Sequence, residues 1–516
     1  MPRWASRRSS SATPRLTGMC PICSWTVVST RFAFRIHQSP TGWRSEVNRM
    51  LKRVSIATLV CTLICFAQCA VALDQDLVTR AEAALEKCTQ YLVDEVAYNG
   101  GYVGTYLEDL SDQWGEGHCL RHQSWLQPPG SPSTGQEFLR AWRATGKQLY
   151  LDAAVTNARS LVWGQLECGG WVYVVDYTRE GEERNYYRRN AGSNDQKLKS
   201  GANRGTYDDD TSQASLRMLM ATDEALDGQD QQIREAVMAG LEWVLKSQYR
   251  HGGFPQWYPL STTGYSRHST YNDGNMYYIM YLLMAAYEQY GDERYRQTLL
   301  KLGDFFINSQ LPEPQPIWAQ QYDEDMRPAW ARMFEPASVT GGETSGVMTA
   351  LIEMAVYTKD PKYLAPIPPA LAWYQRSQLP NGRWARFYEL KTNKPLYFTS
   401  DNRTTYRLTY DDSDMPDHYS FNASSYPQRV EDAHKAITEQ GLEAYAAARA
   451  PKELTPAQLT ARAESMEEAV RKALAEQTEK GVWVRTAAEG RIIDMALVQR
   501  QMRTLSDYLA AANGKQ

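Results

Sequence analysis

Cysteine is scarce where it could organise a fold. Of eight, two lie among the first 49 residues and three (Cys61, Cys65, Cys69) in or beside a single apolar run. That leaves Cys88, Cys119 and Cys168, an odd set that allows one disulfide and one free thiol at most, so no disulfide scaffold holds the chain. No C-x-x-C or Cys/His spacing survives among them, which speaks against a structural zinc site. An excess of positive charge is missing too: the formal net charge is −4, whereas nucleic-acid binding wants a basic face. Strand signals are confined to Trp171–Tyr177, Arg386–Leu390 and Tyr397–Thr399. Phenylalanine is the sparse aromatic, 11 against 32 Tyr and 15 Trp, a bias toward rings with a polar handle. Such surfaces suit large hydroxylated ligands, sugars above all, although most of the tyrosines are expected in helix–helix seams.

The apolar run sits near the start. Met50-Leu51-Lys52-Arg53 opens a charged segment, Val54–Ala67 is mainly apolar, and Ala70-Val71-Ala72 reads as an A-x-A cleavage site before Leu73. This is the anatomy of a secretory signal peptide, too short and wrongly flanked for a spanning helix. The expectation is a disordered leader or over-extended start over 1–49, a signal peptide over 50–72, and a mature protein from Leu73. That protein is expected to be secreted or periplasmic, monomeric, and free of the membrane after cleavage.

From Leu73 onward the pattern is mainly α. Leu77, Ala81, Ala84, Leu85 and Cys88 recur at helical spacing. Further helices are predicted over 135–146, 148–164, 211–226, 230–249, 275–290, 292–309, 344–358 and 361–378. Between helices one phrase returns, a Gln, then Gly, then aromatics: GQLECGGWVYVVDY (164–177), KSQYRHGGFPQWYP (246–259) and RSQLPNGRWARFYE (376–389), with a degenerate YNGGYVGTYLED at 98–109. A repeated helix-plus-aromatic-loop unit predicts an α/α toroid, an incomplete α/α barrel whose loops at one end surround a common mouth. The toroid domain is expected over 73–426. From 427 the texture changes: Ala/Glu/Arg-rich helices over Gln428–Ala450, Thr455–Glu479 and 489–512 read as a helical closing segment (427–516) without aromatic loops and without chemistry.

The stretch Tyr249–Met276 is a long connection whose Gly252, Gly253, Pro255, Pro259 and Gly264 break any period. Its aromatic content is the opposite of a disordered segment. It reads as one wall of a cleft, with Trp257, Tyr258, Arg267 and His268 as candidate substrate-binding residues. Asp208-Asp209-Asp210 stand just before a helix. One aspartate is explained as an N-cap; three in a row repel one another, and a hard cation would relieve them. Asn272-Asp273, before the next helix, could bring oxygen to the same ion. Asp208, Asp209 and Asp273 are therefore candidate metal ligands. Two further clusters, 327–335 and 382–389, share W-A-R-[MF]-[FY]-E. Either each arginine packs on Trp and pairs with Glu, or the guanidinium groups converge to bind carboxylates. Taken together, the paired acids and spaced arginines point to an acidic sugar polymer.

GGFPQWYPL, GYSRHSTYNDGNM and RPAWARMFEPASVTGGETSG resemble the signature loops of family 10 polysaccharide lyases, pectate lyases with an α/α toroid fold. The resemblance runs from about Gly100 to Ser400. It implies calcium-assisted β-elimination on polygalacturonate, with calcium on the acids matching Asp208 and Asp273. It also implies a base at the W-A-R arginine, matching Arg332, and uronate carboxylates held by Arg386 and Arg403. The pattern departs at Asp208–Ser212, where the usual D-N-G-A-T reads D-D-D-T-S. Arginine is an uncomfortable base, since its pKa of about 12.5–13.8 leaves little neutral form. Either nearby cations help Arg332 lose its proton, or it stabilises charge while His268 or Tyr271 accepts. Two other readings stay open: an α/α-barrel glycoside hydrolase, which needs two carboxylates roughly 5–9.5 Å apart, and a non-catalytic uronate-polysaccharide-binding protein.

Overall fold

The computed structural model describes residues 73–192, 203–401, 403–422 and 424–515. The leader and signal peptide expected over 1–72 lie outside the described residues. The described helices are α1 (Gln75–Tyr91), α2 (Ser131–Thr145), α3 (Gln148–Gly164), α4 (Thr211–Ala225), α5 (Gln231–Ser247), α6 (Asn275–Tyr290), α7 (Glu293–Asn308), α8 (Thr344–Thr358), α9 (Ile367–Arg376), α10 (Gln428–Gln440), α11 (Leu442–Arg449), α12 (Pro456–Glu476) and α13 (Met495–Ala512), besides one short turn of helix at Arg179–Arg184.

These helices form an α/α toroid. The inner row runs α13, α2, α4, α6, α8, each packed on the next, and the outer row runs α12, α1, α3, α5, α7. The links from inner to outer helices are short because their sequence stops one helix and starts the next within a few residues. Gly291 ends α6 in the left-handed conformation and Asp292 caps α7 by accepting from Arg294 N. The links from outer to inner helices, 92–130, 165–210, 248–274, 309–343 and 477–494, are long and lie together at the other end. That end carries the site.

One device anchors these loops. The Gln165 side chain donates to Gly169 O and Ala236 O, both at 2.8 Å. Gln248 donates to Gly252 O and Thr298 O, Gln310 to Pro316 O and Pro366 O, and Gln477 to Gly481 O and Ala84 O. Each glutamine thus ties its own loop to a neighbouring hairpin of the toroid. A tryptophan follows in most of them, buried and donating back to the preceding helix: Trp171 to Leu161 O, Trp318 to Phe306 O, Trp384 to Tyr374 O and Trp483 to Ala473 O. Phe254 fills the same place in the loop after α5 and is equally buried.

The recurrence at Gln477–Trp483 corrects the expectation that the C-terminal segment lacks an aromatic loop. The boundary expected at 427 falls inside one compact unit, Asp74–Gln516. There α12 and α13 form a further hairpin, with α13 packed on α1 and α2. Residues 490–494, expected as helix, instead form a strand whose Asp494, Ile493 and Ile492 pair with Thr105, Tyr106 and Leu107. The segment that follows α1 and the segment that precedes α13 are thereby joined in one sheet. Cys88, Cys119 and Cys168 are all free thiols.

Candidate active site

Two loops end in the same turn. Thr206 and Thr270 each accept from the backbone N–H two residues on, at 3.0 and 3.1 Å. Tyr207 and Tyr271 follow with identical backbone angles (φ −92°, ψ −9°), and their hydroxyls pair with Ser247 and Ser309 in the core. Asp209 (φ 52°) and Asp273 (φ 50°) then adopt the left-handed conformation, which turns both side chains into the mouth before α4 and α6 begin. Few non-glycine residues accept this geometry, and aspartate is among those that do. In the next position Asp210 (φ 63°) stands where the second turn has Gly274 (φ 74°), and Asp210 is pinned by Arg217 at 2.5 Å.

Asp208, Asp209 and Asp273 each bring an oxygen within 4.8 Å of the others. Tyr173 OH donates to Asp208 at 2.9 Å and Asp209 at 3.1 Å, and Asn275 reaches Asp208 at 3.4 Å. Loss of solvent, then the charges of Asp208, Asp273 and Glu116, push the Asp209 carboxyl up to about 7. Asp273 is exposed to solvent, and neighbouring groups still shift its carboxyl. Desolvation and Asp208 raise it to about 6, while Arg332 and Arg386 pull it down. Three oxygen-bearing groups that repel one another, with no thiol or imidazole among them, fit a hard divalent cation.

Two arginines lie close enough to act on Asp273. Arg386 donates to Asn272 Oδ1 at 2.9 Å and Glu343 Oε1 at 2.5 Å, with its guanidinium 4.3 Å from the Tyr419 ring centre. Arg332 donates to Glu335 Oε1 at 2.6 Å. Desolvation alone would lower the Arg332 pKa, but the bond to Glu335, then Tyr419 and Asp273, hold it above the ordinary arginine value. Glu335 is itself fixed by Tyr419 OH (2.8 Å) and Gln320 Nε2 (3.2 Å). The two W-A-R motifs are not equivalent. Trp384 belongs to the loop-anchoring series and is 3% exposed, whereas Trp330 is 48% exposed. The partner of Trp384-Ala385-Arg386 in the repeat is Trp318-Ala319-Gln320.

Of the remaining predicted residues, Trp257 flanks the acids through Tyr173, whose ring centre is 6.3 Å away. Tyr258 points to the other side of the same two-residue strand, and its carbonyl accepts from Trp243. Arg267 is committed to Glu324 and to the carbonyls of Ser261 and Thr262. With His268 it lines a neighbouring cavity of about 650 Å³ that also includes Tyr265 and Trp330 but none of the three acids. Arg403 is exposed and paired with Asp417, and both Arg403 and Arg332 help to lower the pKa of His418 after desolvation. Tyr271 is fully buried against Ser309, which removes it as a proton acceptor. Sequence reasoning missed Tyr173, Gln320 and Tyr419. The first two hold the third position of the repeated loop, two residues after its tryptophan, where Gln256 and Arg386 also stand, and that register was the available signal.

Residues 165–383 match the sequence profile of the pectic acid lyase family, so this part of the chain is polysaccharide-lyase-like. No curated protein matches the sequence. Among solved structures, a mutant family 10 polysaccharide lyase from Cellvibrio cellulosa, in complex with trigalacturonic acid, shares 20% identity over 60% of this chain and 98% of its own, with a TM-score of 0.42. The family 10 enzyme from the same organism gives 21%, 60%, 97% and 0.41. The cellobiose 2-epimerase from Spirochaeta thermophila DSM 6192 gives 13%, 86%, 99% and 0.42.

Proposed function

We propose, from the pectic acid lyase match over 165–383, that the chain cleaves polygalacturonate by calcium-assisted β-elimination. The observation that carries this reading is the meeting of Asp208, Asp209 and Asp273 near the guanidinium groups of Arg332 and Arg386, both of which act on Asp273. Elimination removes the C5 proton of a uronate, and the charge that develops spreads onto a carboxylate that is already negative. The C4–O bond then breaks as the C4–C5 double bond forms, and the departing oxygen takes a proton from water. Asp208, Asp209 and Asp273 would hold the cation, which when bound neutralises the substrate carboxylate as a Lewis acid. Arg386, fixed by Asn272 and Glu343, presents preorganised positive charge where negative charge grows. That interaction strengthens in the transition state and so accelerates the reaction.

Arg332 is assigned to the reacting carbon. Arginine is protonated at neutral pH and its ion pair with Glu335 holds the proton harder, so acceptance of the C5 proton requires alkaline conditions, and a rate that climbs through the alkaline range is the expected signature. A glycosidase reading has less support. Its two carboxylates must flank a sugar bond at roughly 5–9.5 Å, whereas here all three acids crowd one spot, two of them from adjacent positions of one turn. Action outside the cytoplasm is proposed from the charged and apolar segments of 50–72.

The test is absorbance in the near ultraviolet during incubation with polygalacturonate. Elimination leaves a conjugated C4–C5 double bond, so absorbance should rise with calcium and stop on adding a chelator. Reducing ends appearing without absorbance would make the protein a hydrolase, and uronate binding without either would make it a binding protein.

A further inference from the structure

We infer that Arg204 binds a substrate carboxylate at a second position along the cleft, beyond the uronate held at the acid cluster. This rests on the uronate-lyase reading and extends it to a residue that neither the resemblance nor the repeat singles out.

Most arginines near the mouth already have a carboxylate partner: Arg217 with Asp210, Arg267 with Glu324, Arg332 with Glu335, Arg386 with Glu343, Arg403 with Asp417. Arg204 is different. Its Nε donates to Pro259 O at 2.7 Å and its Nη2 to Ser266 Oγ at 3.3 Å, both neutral acceptors. Among the described residues no carboxylate forms an ion pair with it, and only desolvation acts on its pKa, lowering it. A half-buried cation without an anion is an unfavourable arrangement, and an anionic ligand would relieve it.

Its place supplies the ligand. The guanidinium lies 5.9 Å from the ring centre of Trp257. Trp257 adjoins Tyr173 at 6.3 Å, and Tyr173 adjoins Trp125 at 5.6 Å. Tyr173 OH donates to Asp208 and Asp209. The wall therefore runs from the carboxylates, across half-buried aromatic rings, to the guanidinium of Arg204. A chain of sugar acids laid along it would set one carboxylate at the acid cluster, stack its rings on Trp257 and Tyr173, and offer a later carboxylate to the fork of Arg204. The two neutral acceptors hold that fork in place before substrate arrives, which reduces the ordering cost of binding.

The experiment is calorimetric titration of the full chain with hexagalacturonate and, separately, with its methyl ester, for wild type, Arg204→Gln and Arg204→Lys, each checked for an unchanged melting transition. Loss of one charge-assisted contact should weaken R204Q for the acid by about tenfold or more and leave the ester unchanged. R204K, which keeps the charge and loses the fork, should fall between. Equal affinity of R204Q and wild type for the acid overturns the assignment while leaving the lyase reading intact. A loss equal for acid and ester also overturns it, by making Arg204 structural. If wild type binds no uronate oligomer and forms no absorbing product, the functional reading itself fails and Arg204 goes with it. Should R204Q fail to fold, the acid-to-ester ratio of R204K decides alone.

Discussion

Asp209 and Asp273 sit in the left-handed turn with their carboxyls raised to about 7 and about 6, against about 3.9 for aspartate in an unfolded chain. Between those values the folded protein keeps protons that the unfolded chain has released. Stability of the metal-free protein must therefore fall as pH rises from about 4 to about 7. We expect melting temperatures recorded by circular dichroism in chelator to decline across that window, and added calcium to remove most of the decline. Asp209→Asn should raise the metal-free melting temperature at pH 8 and shrink the stabilisation by calcium. A pH-independent melting temperature in chelator would count against the raised carboxyls. Arg332 gives a second test at this scale. Glu335 at 2.6 Å strengthens its hold on the proton, so Glu335→Gln should move the alkaline limb of the pH–rate profile to lower pH if the neutral guanidinium accepts the C5 proton. A limb that stays in place would assign Arg332 to charge stabilisation alone.

Among the elements, the loops depend on the anchoring glutamines. Gln477 satisfies two carbonyls, Gly481 O at 2.7 Å and Ala84 O at 2.8 Å, and Gln477→Ala leaves both short of a donor. The expected cost is about 1–3 kcal/mol, read from the urea midpoint with an unchanged slope. The same repeat marks how far the sequence could be read. Helices α3, α6 and α8 were legible to the residue from their apolar spacing, although none of them has a side-chain N-cap. The split of 428–450 at Gly441, and of 361–378 after Leu364, was not, since apolar spacing runs on across each break. At the site, Asp208, Asp209 and Asp273 were legible as acids before helices. Their meeting was not, because nothing local relates residue 208 to residue 273. Only the recurrence of Thr-Tyr before the acid, at 206 and 270, carries that information. The W-A-R likeness misled for the opposite reason: identical letters at 330 and 384 occupy an exposed loop tip and a buried anchor. Arg267 and Arg403 pair with Glu324 and Asp417, as Arg332 and Arg386 pair with Glu335 and Glu343, and charge counting along the chain assigns none of these partners.

For the whole molecule, the question is whether the toroid stands without its last hairpin. An appended closing segment could be cut away and leave a folded lyase-like core. The contacts argue otherwise. Val498, Met502, Leu505 and Leu509 of α13 are fully buried where α13 packs on α1 and α2. Each such side chain contributes about 1.5–3 kcal/mol of burial, so the four together rival the 5–15 kcal/mol or so that keeps a domain folded. The 490–494 strand also satisfies the backbone of Thr105–Leu107, and Gln499 donates to Pro129 O and Thr134 Oγ1 at the start of α2. A chain ending at Lys452 would expose the apolar faces of α1 and α2 and leave one edge of that sheet unpaired, a surface that favours aggregation. We expect such a chain to be insoluble or to lack a cooperative melting transition, although every candidate ligand and arginine of the site lies upstream of the cut. Recovery of a soluble truncated protein with calcium-dependent lyase activity would mean that α12 and α13 only cover the toroid. Loss of folding would mean that the mouth keeps its shape because the last hairpin binds the first.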